Sequence, residues 1–121
     1  MGGTKDFKEK GVYEYETVGA LDDIKVVRGI GTKHDAPEFA GNSTVYIRAD
    51  KGNNVKEIIF YDPVNKTRVK EINWGHPHEG YDRNAIHVHL NVGGRHTVTR
   101  DPTPEETSLV NKARGGKIVW K

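Results

Sequence analysis

Apolar and polar positions alternate with a period of two through the middle of the chain, and a helical period appears only near its end. From Ser43 the runs STVYIRA, VKEIIFY and TRVKEIN are separated by DKGNN and DPVNK, which are rich in turn residues. Period-two alternation sends successive side chains to opposite sheet faces, and Asp62, Pro63 and Asn65 supply tight-hairpin chemistry, so three antiparallel strands in a meander are predicted. After the run GHPHEGYDRN, IHVHLNV reads as a further strand, and residues 95–99 continue the sheet beside it. Asp101 to Pro104 ends the strands. Thr103-Pro104-Glu105-Glu106 then reads as a capping box with proline at the first helical position, opening a helix to about Ala113 that Gly115 and Gly116 stop. KIVWK can add a closing strand.

The amino-terminal part is less regular. Residues 1–11 read as a flexible lead-in, of the kind left when a domain is cut from a longer polypeptide. Val12, Tyr13, Tyr15 and Val18 fit either a short strand or a helix, while Ile24, Val26 and Val27 suit a strand ending at Gly29. The glycine-rich segment from Gly29 to Gly41 reads as a loop able to wrap a ligand. The expected fold is α+β: a four- to five-stranded antiparallel meander, a helical or irregular amino-terminal part and one carboxy-terminal helix, forming a single domain over 12–121.

Length and composition narrow this little further. The 121 residues suffice for one modest core, and with 34% apolar and 30% charged residues that core must come from short elements. The formal charge of +2 leaves room for a basic face without making the whole chain strongly basic. Absence of cysteine removes disulfides, zinc–thiolate sites and thiol nucleophiles. No run is long and apolar enough for a transmembrane helix, so no membrane role is expected.

Histidine is the residue whose placement suggests chemistry. Five of the six histidines fall between His76 and His96. Along the strand, Ile86, Val88 and Leu90 share one face, expected to pack on the core. His87 and His89 share the other, about 7 Å apart and expected to be open to solvent. His76 and His78 flank Pro77 in the preceding loop, and His96 returns on the adjoining strand. An imidazole pair near neutral pH can accept one proton and donate another, which is what RNA cleavage through the ribose 2′-hydroxyl requires without a metal or other cofactor. His87 and His89 are the expected acid–base pair, with His76, His78 and His96 assisting and Arg95 on the phosphate. Thr97, Thr99, Arg100 and, from afar, Arg28 are further donors to a phosphate, Arg95, Thr97 and Thr99 sharing a face by alternation. Lys33 and His34 add binding chemistry in the glycine-rich loop, and Trp74, Tyr81 and Tyr46 offer rings on which a base can stack. The main alternative is a metal: His76, His78, His87 and His89 present imidazoles at i and i+2, suitable for zinc, with Glu79 or Asp82 completing a site for a metal-dependent nuclease or a non-catalytic metal-binding module.

The stretch VKEIIFYDPVNKTRVKEINWGHPHEGYDRNAIHVHL, followed by RDPTPEE, resembles the carboxy-terminal toxin domains of bacterial polymorphic toxins, over residues 55–106. There a hairpin with a basic–acidic–isoleucine pattern runs into a His-rich loop and a histidine-bearing strand. Many such domains are similar to the barnase, EndoU, colicin and RelE-like ribonucleases. The resemblance implies a metal-independent ribonuclease, acting as a monomer on RNA, with tRNA among the candidate substrates, and a cognate immunity protein that plugs the site. It also implies secretion or delivery within a larger toxin and action in the cytoplasm of a competing cell. His76, His78, His87 and His89 carry over on the matched residues; Arg28, Lys33 and His34 rest on their chemistry alone.

Overall fold

The computed structural model describes residues 5–9, 12–30, 43–74, 85–92 and 95–121, and of residues 5–14, 92 and 95–97 within these the backbone alone. Among them nine strands form one sheet. In spatial order these are β1 (Lys5–Glu9), β2 (Val12–Leu21), β3 (Ile24–Gly29), β4 (Val45–Ala49), β5 (Val55–Tyr61), β6 (Arg68–Asn73), β7 (His87–Val92) and β8 (Arg95–Arg100), with β9 (Val119–Trp120) paired to β2. The one helix, α1, runs from Pro104 to Arg114. The mixed α and β composition and the single late helix agree with the sequence pattern, and the meander appears as β4 to β8.

The sheet is nonetheless larger than four or five strands, because the amino-terminal part is neither helical nor irregular. Val12, Tyr13, Tyr15, Thr17 and Val18 are β-branched or aromatic and favour a pleated surface. They form a ten-residue strand. Asp22, with φ of 53°, turns the chain directly into β3, where Leu21 pairs with Ile24. β1 falls within the segment 1–11. β3 and β4 are parallel neighbours, whereas every other pairing in the sheet is antiparallel. β9 crosses close to β2 at Gly19, where a Cβ would stand 2.8 Å from the carbonyl oxygen of Val119.

Both faces of the sheet are buried. Val26, Ile47, Ile58, Ile72 and Val88 send their side chains to one face, where Val110 and Ala113 of α1 join them with Val18, Leu21, Trp74 and Ile118. The intervening residues Val27, Tyr46, Ile59 and Tyr61 form a second cluster with Tyr15 on the opposite face. Val88 is fully buried and Ile86 and Leu90 pack on the helix-side core, as alternation predicts.

The cap of α1 has the expected chemistry. Thr103 Oγ1 accepts from the Glu106 backbone N–H at 3.2 Å, and Glu106 Oε1 accepts from the Thr103 N–H at 2.8 Å. Glu106 is also held by Arg100 Nη1 and Nη2 at 2.7 and 3.0 Å and by Lys70 Nζ at 2.8 Å. The Arg100 guanidinium, with the Lys70 ammonium beside it, holds this carboxyl well below the usual carboxylate range against the opposing effect of burial.

Candidate active site

The face away from α1 carries a polar network in its middle. Register alone puts it there: Arg48 stands opposite Glu57, Glu57 opposite Asn73, and Asn73 opposite His87. One step along the strands, Ile59 pairs with Glu71, Glu71 with His89, and His89 with Thr99. Paired residues share a face, so two lateral rows of polar groups lie side by side.

Glu57 and Glu71 arrive by the same local sequence, since VKEI occurs at both 55–58 and 69–72. In each copy the isoleucine points to the helix-side core, Ile58 and Ile72, and the glutamate therefore to the other face. Arg68 joins them because the ladder shifts between the Phe60–Lys70 and Tyr61–Arg68 pairs. Lys70 accordingly lies over the Phe60 ring at 4.3 Å and reaches Glu106, while Arg68 Nη1 contacts Glu71 Oε1 at 3.4 Å.

Nearly every member of the network is buried. His87 is 0% and His89 3% exposed, and Glu57, Glu71, Asn73 and Asn91 are also buried. The expectation that the two imidazoles look out into solvent is therefore corrected. Their separation from the apolar trio is right, but the opposite face is covered as well. The rings meet edge to face, with centroids 4.9 Å apart at 89°. His87 Nδ1 donates to the Ala85 carbonyl oxygen at 3.3 Å, since that oxygen can only accept. His89 Nδ1 shares a 3.0 Å hydrogen bond with Thr99 Oγ1.

The two carboxylates differ in their surroundings. Glu71 accepts from Asn91 Nδ2 at 3.1 Å as well as from Arg68. Glu57 accepts from Arg48 Nε at 2.9 Å, yet burial pushes its carboxyl above the usual value, the Arg48 charge opposing and the Glu71 charge adding to the rise. Burial likewise raises the Tyr61 phenol beside them. The guanidiniums of Arg48 and Arg68 are the more solvent-reaching groups, with side chains 16% and 28% exposed.

Of the residues expected from the sequence, the structure brings together His87, His89 and Thr99. Arg100 is turned to the helix side and committed to Glu106. Arg28 alternates with Val27, pairs with Glu16 at 3.1 Å and also donates to Asn53, away from the histidines. Trp74 packs in the helix-side core, 7% exposed, and Tyr46 lies buried in the aromatic cluster. The strict alternation of Arg95, Thr97 and Thr99 is broken by a bulge: Val98 pairs with Leu90, but His96 with Asn91 and Arg95 with Val92. Side chains of Arg95, His96 and Thr97 lie outside the described residues, as do His76, His78, Tyr81, Lys33 and His34. The metal alternative rests partly on those residues; among the described ones no cluster of three or more metal-ligating side chains forms.

Arg48, Glu57, Glu71, Asn73 and Asn91 were not singled out from the sequence. The repeated VKEI was the available signal, because a glutamate flanked by core-facing isoleucine in two paired strands must stand on the histidine face. No family model matches the chain, and neither a curated protein nor a solved structure matches it. The resemblance to polymorphic-toxin domains thus rests on residues 55–106 alone.

Proposed function

We propose that the chain is an RNA-cleaving toxin domain that works by metal-independent transphosphorylation. The observation that carries this reading is the meeting, on one sheet face, of an imidazole pair, a carboxyl with raised proton affinity and two guanidiniums. A base takes the proton of the ribose 2′-hydroxyl, the O2′–P bond forms, the P–O5′ bond breaks, and an acid protonates the leaving O5′. The products are a 2′,3′-cyclic phosphate and a 5′-hydroxyl.

The packing of the rings refines the division of labour. In-line displacement needs the proton acceptor and donor on opposite sides of phosphorus, and rings whose centroids are 4.9 Å apart leave no room for a phosphate between them. One imidazole therefore serves as acid, and the base comes from across the sheet. Glu57 lies two strands from His87, roughly 10 Å between backbones, so its carboxyl enters the network from a different side than the imidazoles. In this reading Glu57 is the base and His89, steadied by Thr99, the acid. His87 positions His89, and Arg48 and Arg68 receive the phosphate. The depth of these groups selects a single-stranded segment that can be drawn into the face. A cognate immunity protein covering that face, and delivery within a larger toxin, belong to the same proposal.

Incubating the protein with total RNA in excess EDTA tests it. Fragments ending in 2′,3′-cyclic phosphate are expected. Activity lost to chelator and restored by zinc would move the assignment to the metal-dependent alternative, and intact RNA with and without zinc would end both. Cleavage should rise with pH through the elevated Glu57 value, since the base acts only when deprotonated. Glu57→Gln should lower the rate about a hundredfold or more and remove that limb of the profile; an unchanged limb would displace Glu57 from the role.

A further inference from the structure

Both tryptophans of the chain line one groove of about 380 Å3 on the helix side of the sheet, with Asn53, Asn54, Arg114 and Ile118 among its walls. Trp120 is the accessible ring at 36% exposure, whereas Trp74 is 7% exposed and has the Arg114 guanidinium 5.7 Å from its centroid. Two neighbouring carboxamides complete the lining. Asn53 Oδ1 accepts from Arg28 at 3.3 Å, and its amide N–H groups add donors. Asn54 donates from Nδ2 to Asp50 at 3.2 Å and has its carbonyl as an acceptor. The groove thus offers an indole surface, a cation and two adjacent side-chain amides, each able to donate and accept.

We propose that this groove binds one unpaired nucleobase of single-stranded RNA. A planar base presents a π-face to Trp120 and a hydrogen-bonding edge to the amides of Asn53 and Asn54, and Arg114 supplies a cation for its phosphate. An aliphatic side chain in the same space would meet the indole but leave both amides and the guanidinium unanswered. Position supports the assignment. Val55 of the groove lies two residues, about 7 Å, before Glu57 on β5, and Trp74 directly follows Asn73 of the polar row. A strand whose scissile phosphate sits on the polar row can pass over this end of the sheet and lay a flanking base in the groove. Placement next to the reaction rests on the ribonuclease reading; the binding chemistry does not.

Because the groove holds both tryptophans, intrinsic fluorescence reports on it directly. AMP, CMP, GMP and UMP are titrated into the protein, with ribose 5-phosphate as the source of phosphate without a base. Saturable quenching by at least one nucleotide and none by ribose 5-phosphate is expected. Trp120→Leu, read by the remaining Trp74, and Arg114→Glu should each weaken binding about tenfold or more. In RNA cleavage the same variants should raise the KM for an oligoribonucleotide. Should Trp120→Leu fail to fold, the exposed Arg114 carries the test. No response to any nucleotide up to about 10 mM, equal quenching by ribose 5-phosphate, or wild-type affinity in a folded variant overturns the proposal. Saturable nucleotide binding by a protein that cuts no RNA would uphold the groove and end the ribonuclease reading.

Discussion

His89→Ala is expected to reduce RNA cleavage by about 10²–10⁴-fold, the range a positioned proton-transfer group supplies. The side chain is 3% exposed, bonded to Thr99 and packed against His87, so the substitution also opens a void and strands a hydroxyl. Lost activity must therefore be separated from lost fold. His89→Gln keeps an amide that can bond Thr99 but cannot shuttle a proton at neutral pH, and it should be as inactive as the alanine variant while remaining closer to wild type in thermal unfolding. His87→Ala should behave differently: its role is to hold the His89 ring, so part of the activity should survive wherever the variant folds. Folded His89→Gln with near-normal turnover would remove the imidazole from the chemistry. Equal, complete loss in His87→Gln with wild-type stability would give both imidazoles a direct part in the chemistry.

The histidine pair was legible in the sequence because alternation is geometric: once Val88 is assigned to the core, His87 and His89 must share the other face. What alternation cannot say is whether that other face meets water. That depends on more than one strand: on the same face Tyr15, Val27, Tyr46, Ile59 and Tyr61 form a buried cluster contributed by four strands, which the pattern of the histidine strand alone does not show. β3 was legible, since Ile24, Val26 and Val27 suit a strand ending at Gly29 and form one, but β1 was missed and β2 left open between strand and helix for a related reason. Glu14 and Glu16 interleave with tyrosines in β2, and a bulge between Thr17 and Gly19 breaks the period, so the segment reads equally as strand or helix. The helix was plain because its cap is local: Thr103, Pro104 and Glu106 state it within four positions. Arg100 shows the limit of proximity in sequence. It stands one residue from Thr99, yet neighbours on a strand face opposite ways, and its guanidinium serves the helix while Thr99 serves the histidines.

That arrangement makes Glu106 the residue whose replacement should cost the fold most and the site least. Its side chain is 8% exposed and completes the capping box, a bidentate pair with Arg100 and a bond to Lys70. Removing one partner of a buried ion pair costs about 3–5 kcal/mol, but Arg100 and Lys70 are about one-third and one-quarter exposed, so solvent moderates the loss. With the cap included, Glu106→Ala should lower stability by roughly 3 kcal/mol and the melting temperature by roughly 10 °C. Acid should narrow the difference for Glu106→Gln. The native carboxyl titrates below its ordinary value of 4.5. Its contribution is therefore whole above that pH and declines as the pH falls toward the depressed native value, by up to about 1.4 kcal/mol per pH unit. Glu57 has the opposite sign: its native carboxyl binds a proton more tightly than the unfolded chain does, so acid relieves the cost of burying its charge. Urea unfolding of wild type and Glu106→Gln at about pH 7 and again near pH 3 should show a gap that narrows on acidification, with cleavage by the folded variant at neutral pH close to wild type. A gap of the same size at both pH values would mean that Glu106 acts through packing rather than charge. A folded variant with lost cleavage would mean that the clamp on the helix side sets the position of Thr99 and His89 across the same strand.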